Sequence, residues 1–341
     1  MHFSASTFAL MIIDSRAFAR AGLLGNPSDG YFGKTISLSI KNFGAHILLY
    51  QSPELVIEPQ EADVNTFRNI YQLRDTVSLI GYNGGIPIIK AAIKKFCDYC
   101  DTNSIRLSNK NFTIRYHSSI PRQVGLAGSS AIIIATLKAL MQFYGIEIPK
   151  HLLANIALRA ETEEMGINAG LQDRVIQSYE GCVHMDFNKA HMDEHGYGVY
   201  TPINPALLPK LYMAYKTDLS KVSGKVLNEI RSKYDKGDEH TIATLKTIAN
   251  LADQGAEAIK AGDHELLGQL INANFDNRCK IMSINHSNME LINTARNCGA
   301  SASFTGSGGA IIGIYQDDEM LKRLVYSLKK INARVIKPHI I

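Results

Sequence analysis

Apolar and polar residues alternate most regularly over 35–50 (TISLSIKNFGAHILLY), a period of two that predicts a β-hairpin or two adjacent strands. Helical spacing takes over at 61–80 and 85–100, on either side of a loop at 81–85 (GYNGG). A strand over 104–117 leads to a glycine- and serine-rich turn at 121–131, which enters a long apolar helix. A second helix is predicted over 149–165, then a strand over 182–187 and a proline-punctuated connection over 204–209. The strand at 211–216 opens a further half, with helices over 220–232, 238–261 and 263–282. A short strand at 302–305, a small-residue loop at 306–309, a strand at 310–315, a helix and a last strand at 331–336 complete it. Strands and helices mix without regular β-α-β alternation, so the fold class is α+β.

The turn at 121–131 (PRQVGLAGSSA) carries the strongest chemical signal. Its small residues let backbone N–H groups come close to a ligand, and the helix behind it aims its positive end at the same point. Gly125, Leu126, Ala127, Gly128, Ser129, Ser130 and Ala131 are therefore candidates to wrap a phosphate, with the hydroxyls beside a metal ion. An ordinary capped core helix has the same look.

With 341 residues there is room for two domains. A net charge of +4, with no long basic run, argues against a nucleic-acid partner. The apolar run at 8–13 is too short for a membrane span and lacks a positive start, so no membrane partner or signal peptide is expected. Five widely spaced cysteines oppose a disulfide framework and make a reducing cytoplasm the default. Cys97 and Cys100 form a C-x-x-C pair with no second pair to complete a zinc site.

Four more segments hold candidate chemistry. The stretch 20–29 (RAGLLGNPSD) reads as a strand breaking into a polar turn, with Arg20 and Asp29 as functional charges. Gly33-Lys34-Thr35 imitates the end of a P-loop, but Ser28 stands where the first glycine is required and a strand pattern follows. Glu161, Glu163 and Glu164 crowd one helix end, where a carboxylate is suited to Mg²⁺. Asp173, twelve residues past Glu161, is suited to accept a hydroxyl proton or to cap a helix. The loop Gly306-Ser307-Gly308-Gly309 lacks the spacing of a dinucleotide fingerprint.

In this order the segments resemble the three motifs of the GHMP kinases: 20–29 the first, 121–131 the second and 303–310 the third. The resemblance runs from about residue 16 to 315. It implies an N-terminal domain like ribosomal protein S5 domain 2 (1–200), a ferredoxin-like C-terminal domain (201–341), and ATP and Mg²⁺ in the cleft between them. By the same resemblance Asp173 is the catalytic base, Arg20 lies beside it, and Ser130 and Glu161 hold the metal. Glu161 is preferred to its neighbours because it stands five residues before Gly166, as in mevalonate kinases. Asp29 would accept sugar hydroxyls, and Gly306, Ser307, Gly308 and Gly309 would support substrate and phosphate. The segments 19–29, 121–132, 169–175 and 181–187 are most similar to the plant-type glucuronokinase branch, which implies phosphorylation of the anomeric hydroxyl of D-glucuronate. Arg122 and Arg174 are then the candidates for the sugar's carboxylate. Another sugar (fucose, galactose or a heptose phosphate) or a non-catalytic relative is the alternative. A monomer or homodimer is expected throughout. Two departures matter. The second motif has one extra residue, which leaves Ser129 and Ser130 open as the metal ligand, and Asn26-Pro27 replaces the Glu-His of many members. A lid from the 51–85 region is a further expectation.

Overall fold

A computed structural model describes residues 12–59, 85–217 and 225–340. The helix expected over 61–80, nearly all of the 81–85 loop, residues 8–11 of the 8–13 run and the start of the 220–232 helix lie outside the described residues, as does most of the proposed lid.

The first sheet is built around one very long strand. β1 (Ile12–Leu24) pairs antiparallel with β2 (Lys34–Ser52), and the other edge of β2 is shared between β4 (Asn111–Ser118) and β5 (Cys182–Asp186). β3 (Val56–Ile57) extends the sheet beside β4, and β6 (Val199–Ile203) beside β5. The hairpin expected within 35–50 is thus a single strand. Its polar interruption, Lys41-Asn42-Phe43, is a bulge where the register jumps from Phe18↔Gly44 to Ala19↔Ile40. The C-terminal segment secures that bulge: Lys41 N–H donates to His339 O at 2.8 Å, and His339 N–H to Asn42 Oδ1 at 2.7 Å.

Helices α1 (Gly85–Thr102), α2 (Gly128–Tyr144), α3 (Lys150–Arg159) and α4 (Gln172–Tyr179) accompany this sheet, with the short α5 (Lys189–His195) between β5 and β6. α2 is apolar on nearly every side and buried accordingly.

The second sheet, β10 (Ala333–Ile336), β7 (Leu211–Lys216), β9 (Ala310–Ile314) and β8 (Ser303–Phe304), is antiparallel throughout. In chain order its strands lie 4-1-3-2, the ferredoxin-like arrangement. It is accompanied by α6 (Lys225–Asp235), α7 (Glu239–Ala261), α8 (His264–Ile281), α9 (His286–Asn297) and α10 (Asp318–Lys329). Both faces are buried, and the period of two divides them. Leu211, Met213 and Tyr215 join the main core, while Tyr212 and Ala214 pack with residues of α9 and α10. The main core also takes in Ile36 and Leu38 of β2 and Leu251 and Leu267 of α7 and α8, so it runs continuously through both sheets. That continuity fixes the two glycine loops, one from each half, against each other.

Candidate active site

The turn before α2 is shaped for close backbone approach. Gly125 has φ +71°, and a Cβ there would lie 2.9 Å from Gly308 O, so only glycine fits where the two loops meet. Ala127 enters the helix in the left-handed region (φ 59°), and no side chain caps the first turn. The N–H groups of Gly128, Ser129 and Ser130 precede the first intrahelical bond, Ala131 N–H to Ala127 O at 3.2 Å. Leu126 and Ala131 bury their side chains, which leaves backbone and hydroxyls to face a ligand. Such an uncapped terminus is chemically an anion site.

Arg20 gathers the surrounding elements. From β1 its Nε donates to Asp173 Oδ1 at 2.5 Å, and its Nη1 to Gly125 O at 2.6 Å and Thr305 O at 2.9 Å. One buried guanidinium therefore touches the candidate base, the second motif and the third. The backbone repeats the connection: Arg20 N–H bonds Leu126 O at 3.3 Å and Gly22 N–H bonds Thr305 O at 2.7 Å.

Asp173 stands in the first turn of α4, a favourable place for a carboxylate. Next to it, Gln172 N–H reaches Asp29 Oδ2 at 3.4 Å. Gly170 makes that approach possible, because a Cβ there would lie 2.2 Å from the same oxygen. Burial, and then the neighbouring Asp173 carboxylate, push Asp29 up to about 6; the Gln172 N–H, Arg20 and Arg174 oppose the rise.

Glu161 is wholly buried in a π-helical turn (Ala160–Glu164) that prolongs α3. Ser129 Oγ donates to its Oε1 at 2.6 Å, and Arg174 Nη2 pairs with its Oε2. Ser130, the expected metal ligand, instead points its hydroxyl at Ala127 O (3.3 Å); one residue of helix rotation separates the two serines. Glu164 is taken up by Lys94 and Glu163 by Lys95 of α1, each at 2.7 Å. Hard oxygen donors from Ser129 and Glu161 suit Mg²⁺, which completes its shell with phosphate oxygens and water.

The two cations expected for a sugar carboxylate are placed differently. Arg174 is buried against Glu161 and donates to Gly170 O at 2.7 Å, and its burial lowers it to about 9. Its guanidinium is engaged within the protein. Arg122 stands exposed on the approach to the Gly125 turn.

Sequence reasoning missed a polar network beneath these groups. Gln172 Nε2 donates to Ser37 Oγ (2.7 Å) and its Oε1 accepts from Asn26 Nδ2 (2.9 Å). Asn274 receives Gly25 N–H at 2.8 Å, and Asn288 receives Gly309 N–H at 3.0 Å. Arg278 reaches Asn26 and Gly306. The signal was available on α8: Asn274 and Arg278 fall on the stripe formed by Leu267, Leu270, Ile271 and Ile281, where apolar residues belong.

Two family models match the chain, the GHMP kinases N terminal domain over residues 87–181 and the GHMP kinases C terminal over 256–333. Glucuronokinase 1 of Arabidopsis thaliana is 45% identical over 310 residues, 89% of this chain and 85% of that protein. Probable glucuronokinase 2 of the same plant is 44% identical, over 88% and 84%. Among solved structures, the Methanococcus jannaschii mevalonate kinase superposes with a TM-score of 0.72 at 22% identity, covering 98% of this chain and all of that one. The galactose complex of Lactococcus lactis galactokinase reaches 0.76 at 15% identity, over 96% and 93%. These last two likenesses concern the fold.

Proposed function

We propose that this chain, which belongs to the GHMP kinase family, is an ATP-dependent sugar kinase that phosphorylates the anomeric hydroxyl of D-glucuronate. The observation that carries the reading is the Arg20–Asp173 pair, whose guanidinium also holds the Gly125 carbonyl of the phosphate turn. A base and a phosphate-binding backbone are thereby fixed on one side chain, as phosphoryl transfer to a hydroxyl requires. The identity to two glucuronokinases over most of the chain supports the substrate.

The ATP phosphates lie along Gly125–Ala131, their charge met by the first N–H groups of α2. Ser129 and Glu161 would hold Mg²⁺, with Ser130 behind them; the bound ion supplies charge neutralisation at the phosphate oxygens. Asp29 accepts sugar hydroxyls and directs the anomeric oxygen toward Asp173. That oxygen forms the new bond to the γ-phosphorus as the bond to ADP breaks, and its proton passes to Asp173. Arg20 keeps the carboxylate aimed and steadies charge on the transferred group. The loop Gly306–Gly309 supports the phosphate turn from the second sheet.

The reading takes 1–200 and 201–341 as two domains, a division that falls within β6, the last strand of the first sheet before β7 opens the second. It also takes the cytoplasm as the setting. All five cysteines are unpaired, and no described helix is long and apolar enough to cross a membrane. The test is Mg-ATP turnover against glucuronate, galacturonate, galactose, fucose and heptose 7-phosphate, with Asp173→Ala beside the wild type. Selective turnover of glucuronate, lost in the variant, is the expected result. Turnover of a neutral sugar instead would discard the uronate, and silence throughout would discard the kinase.

A further inference from the structure

Among the described residues Arg278 of α8 is the largest fully buried side chain, and no carboxylate lies within ion-pair distance of it. Its Nη1 donates to Asn26 Oδ1 at 2.8 Å and its Nη2 to Gly306 O at 2.7 Å, while its guanidinium lies 5.2 Å from the centre of the Phe304 ring. Nε is buried without an acceptor. Burial lowers it to about 10. A buried cation without a counter-charge is a poor stabiliser, because no opposite charge offsets its desolvation. The placement therefore calls for a reason other than packing.

The reason lies in what the two bonds join. Gly306 follows Thr305, whose carbonyl Arg20 holds, so two arginines grip consecutive carbonyls of the third motif from different elements. At its other end Arg278 holds Asn26. Asn26 bonds Gln172, the residue before Asp173, and Gln172 bonds Ser37 of β2. We propose that Arg278 is a positioning residue for phosphoryl transfer, tying the Gly306–Gly309 loop to the Asn26–Gln172 arm so that loop and Asp173 keep one spacing. It touches neither substrate nor the reacting atoms. A flat, forked guanidinium donates to both acceptors in fixed directions beside the Phe304 ring, whereas an ammonium on a flexible stem does not impose that geometry. The inference rests on the kinase reading for its catalytic readout.

The full-length Arg278→Met and Arg278→Lys variants, with Asn26→Ala as a second way to cut the tie, provide the test. The first readout is hydrogen exchange of the apo proteins, which needs no turnover. Both 305–309 and 25–29 exchange faster together in Arg278→Met, and Asn26→Ala loosens 25–29. The second is steady-state kinetics on whichever sugar the wild type phosphorylates. Arg278→Met lowers kcat by about 10²-fold, the cost of a misplacement near 1 Å, with ATP KM little changed. Arg278→Lys falls less. Exchange unchanged at either segment overturns the proposal, as does a folded Arg278→Met with wild-type kcat. If Arg278→Met does not fold, wild-type kcat in Asn26→Ala overturns it. A wild type that phosphorylates nothing defeats the kinase reading alone, and the exchange data still decide whether Arg278 joins the two segments.

Discussion

The clearest quantitative consequence concerns Asp29, whose carboxyl is pushed from 3.8 up to about 6. The shift is upward, so between these values the folded chain holds a proton that the unfolded chain has released. Burying the charged form therefore costs stability above pH 6, and that loss is recovered as pH falls toward 3.8. Two units correspond to roughly 3 kcal/mol at full extent. Asp29→Asn keeps the shape and an acceptor for Gln172 N–H while removing the charge. The variant is expected to exceed the wild type in urea midpoint at pH 7.5, and the difference should shrink to about a third near pH 4.5 and vanish only below pH 3.8. Catalysis moves the opposite way. A carboxylate accepting sugar hydroxyls contributes about 1.5–3 kcal/mol per bond, so Asp29→Asn raises the sugar KM roughly 10- to 100-fold. In the wild type the sugar KM rises as pH falls through about 6, and in the variant this limb is absent. Coupled ADP release from pH 5 to 8, with urea melts at each pH, measures both. A variant that keeps the wild-type acid limb, or gains no stability at pH 7.5, would refute the reasoning.

Asp173→Asn should lower kcat by about 10²–10⁴ with ATP KM nearly constant, and a kcat within tenfold of wild type, read by the same assay, counts against the base. Ser129→Ala should raise the Mg²⁺ concentration for half-maximal activity, while Ser130→Ala leaves it unchanged; a magnesium titration of both separates the two hydroxyls. Gly125→Ala forces a left-handed φ and sets a Cβ 2.9 Å from Gly308 O, so it should cost roughly 1–3 kcal/mol and weaken nucleotide binding, as denaturation and ATP titration will report.

What local pattern governs, the chain displays openly. The strand over 211–216 and the helices over 238–261 and 263–282 coincide with the structure to within a residue or so, because each carries an unbroken period. The alternation over 35–50 marks strand but not that it is one strand, because the bulge at Lys41-Asn42-Phe43 and its partners at 337–339 are not local features. β6 escaped notice since Pro202 interrupts it, which only an edge strand tolerates. α9 was overlooked because its sequence is mostly polar and only a narrow stripe, Asn288, Leu291, Ile292 and Ala295, is buried. In the site, Arg20, Asp29, Gly125 and Asp173 stood in recognisable segments and meet in space. The choice between Ser129 and Ser130 required the geometry of the helix start, and the commitment of Arg174 to Glu161 required tertiary contacts between α4 and the π-helical turn.

The charges at the centre sort by whether they are paired. Arg20 with Asp173 and Arg174 with Glu161 are close ion pairs, each supplemented by carbonyl or hydroxyl bonds that complete its coordination. Paired and hydrogen-bonded, they can be buried at tolerable cost and hold β1, α3 and α4 in fixed relation. Arg278 and Asp29 are the two left over, one cation and one carboxylate, each held chiefly by backbone or amide groups. Their fields reach one another, yet the structure keeps them apart instead of joining them as a third pair. A carboxylate paired with Arg278 would have fewer lone pairs free for another donor, and an arginine turned to Asp29 would release Gly306. Keeping both unpaired costs stability, and it leaves Asp29 as an acceptor and Gly306 held by Arg278.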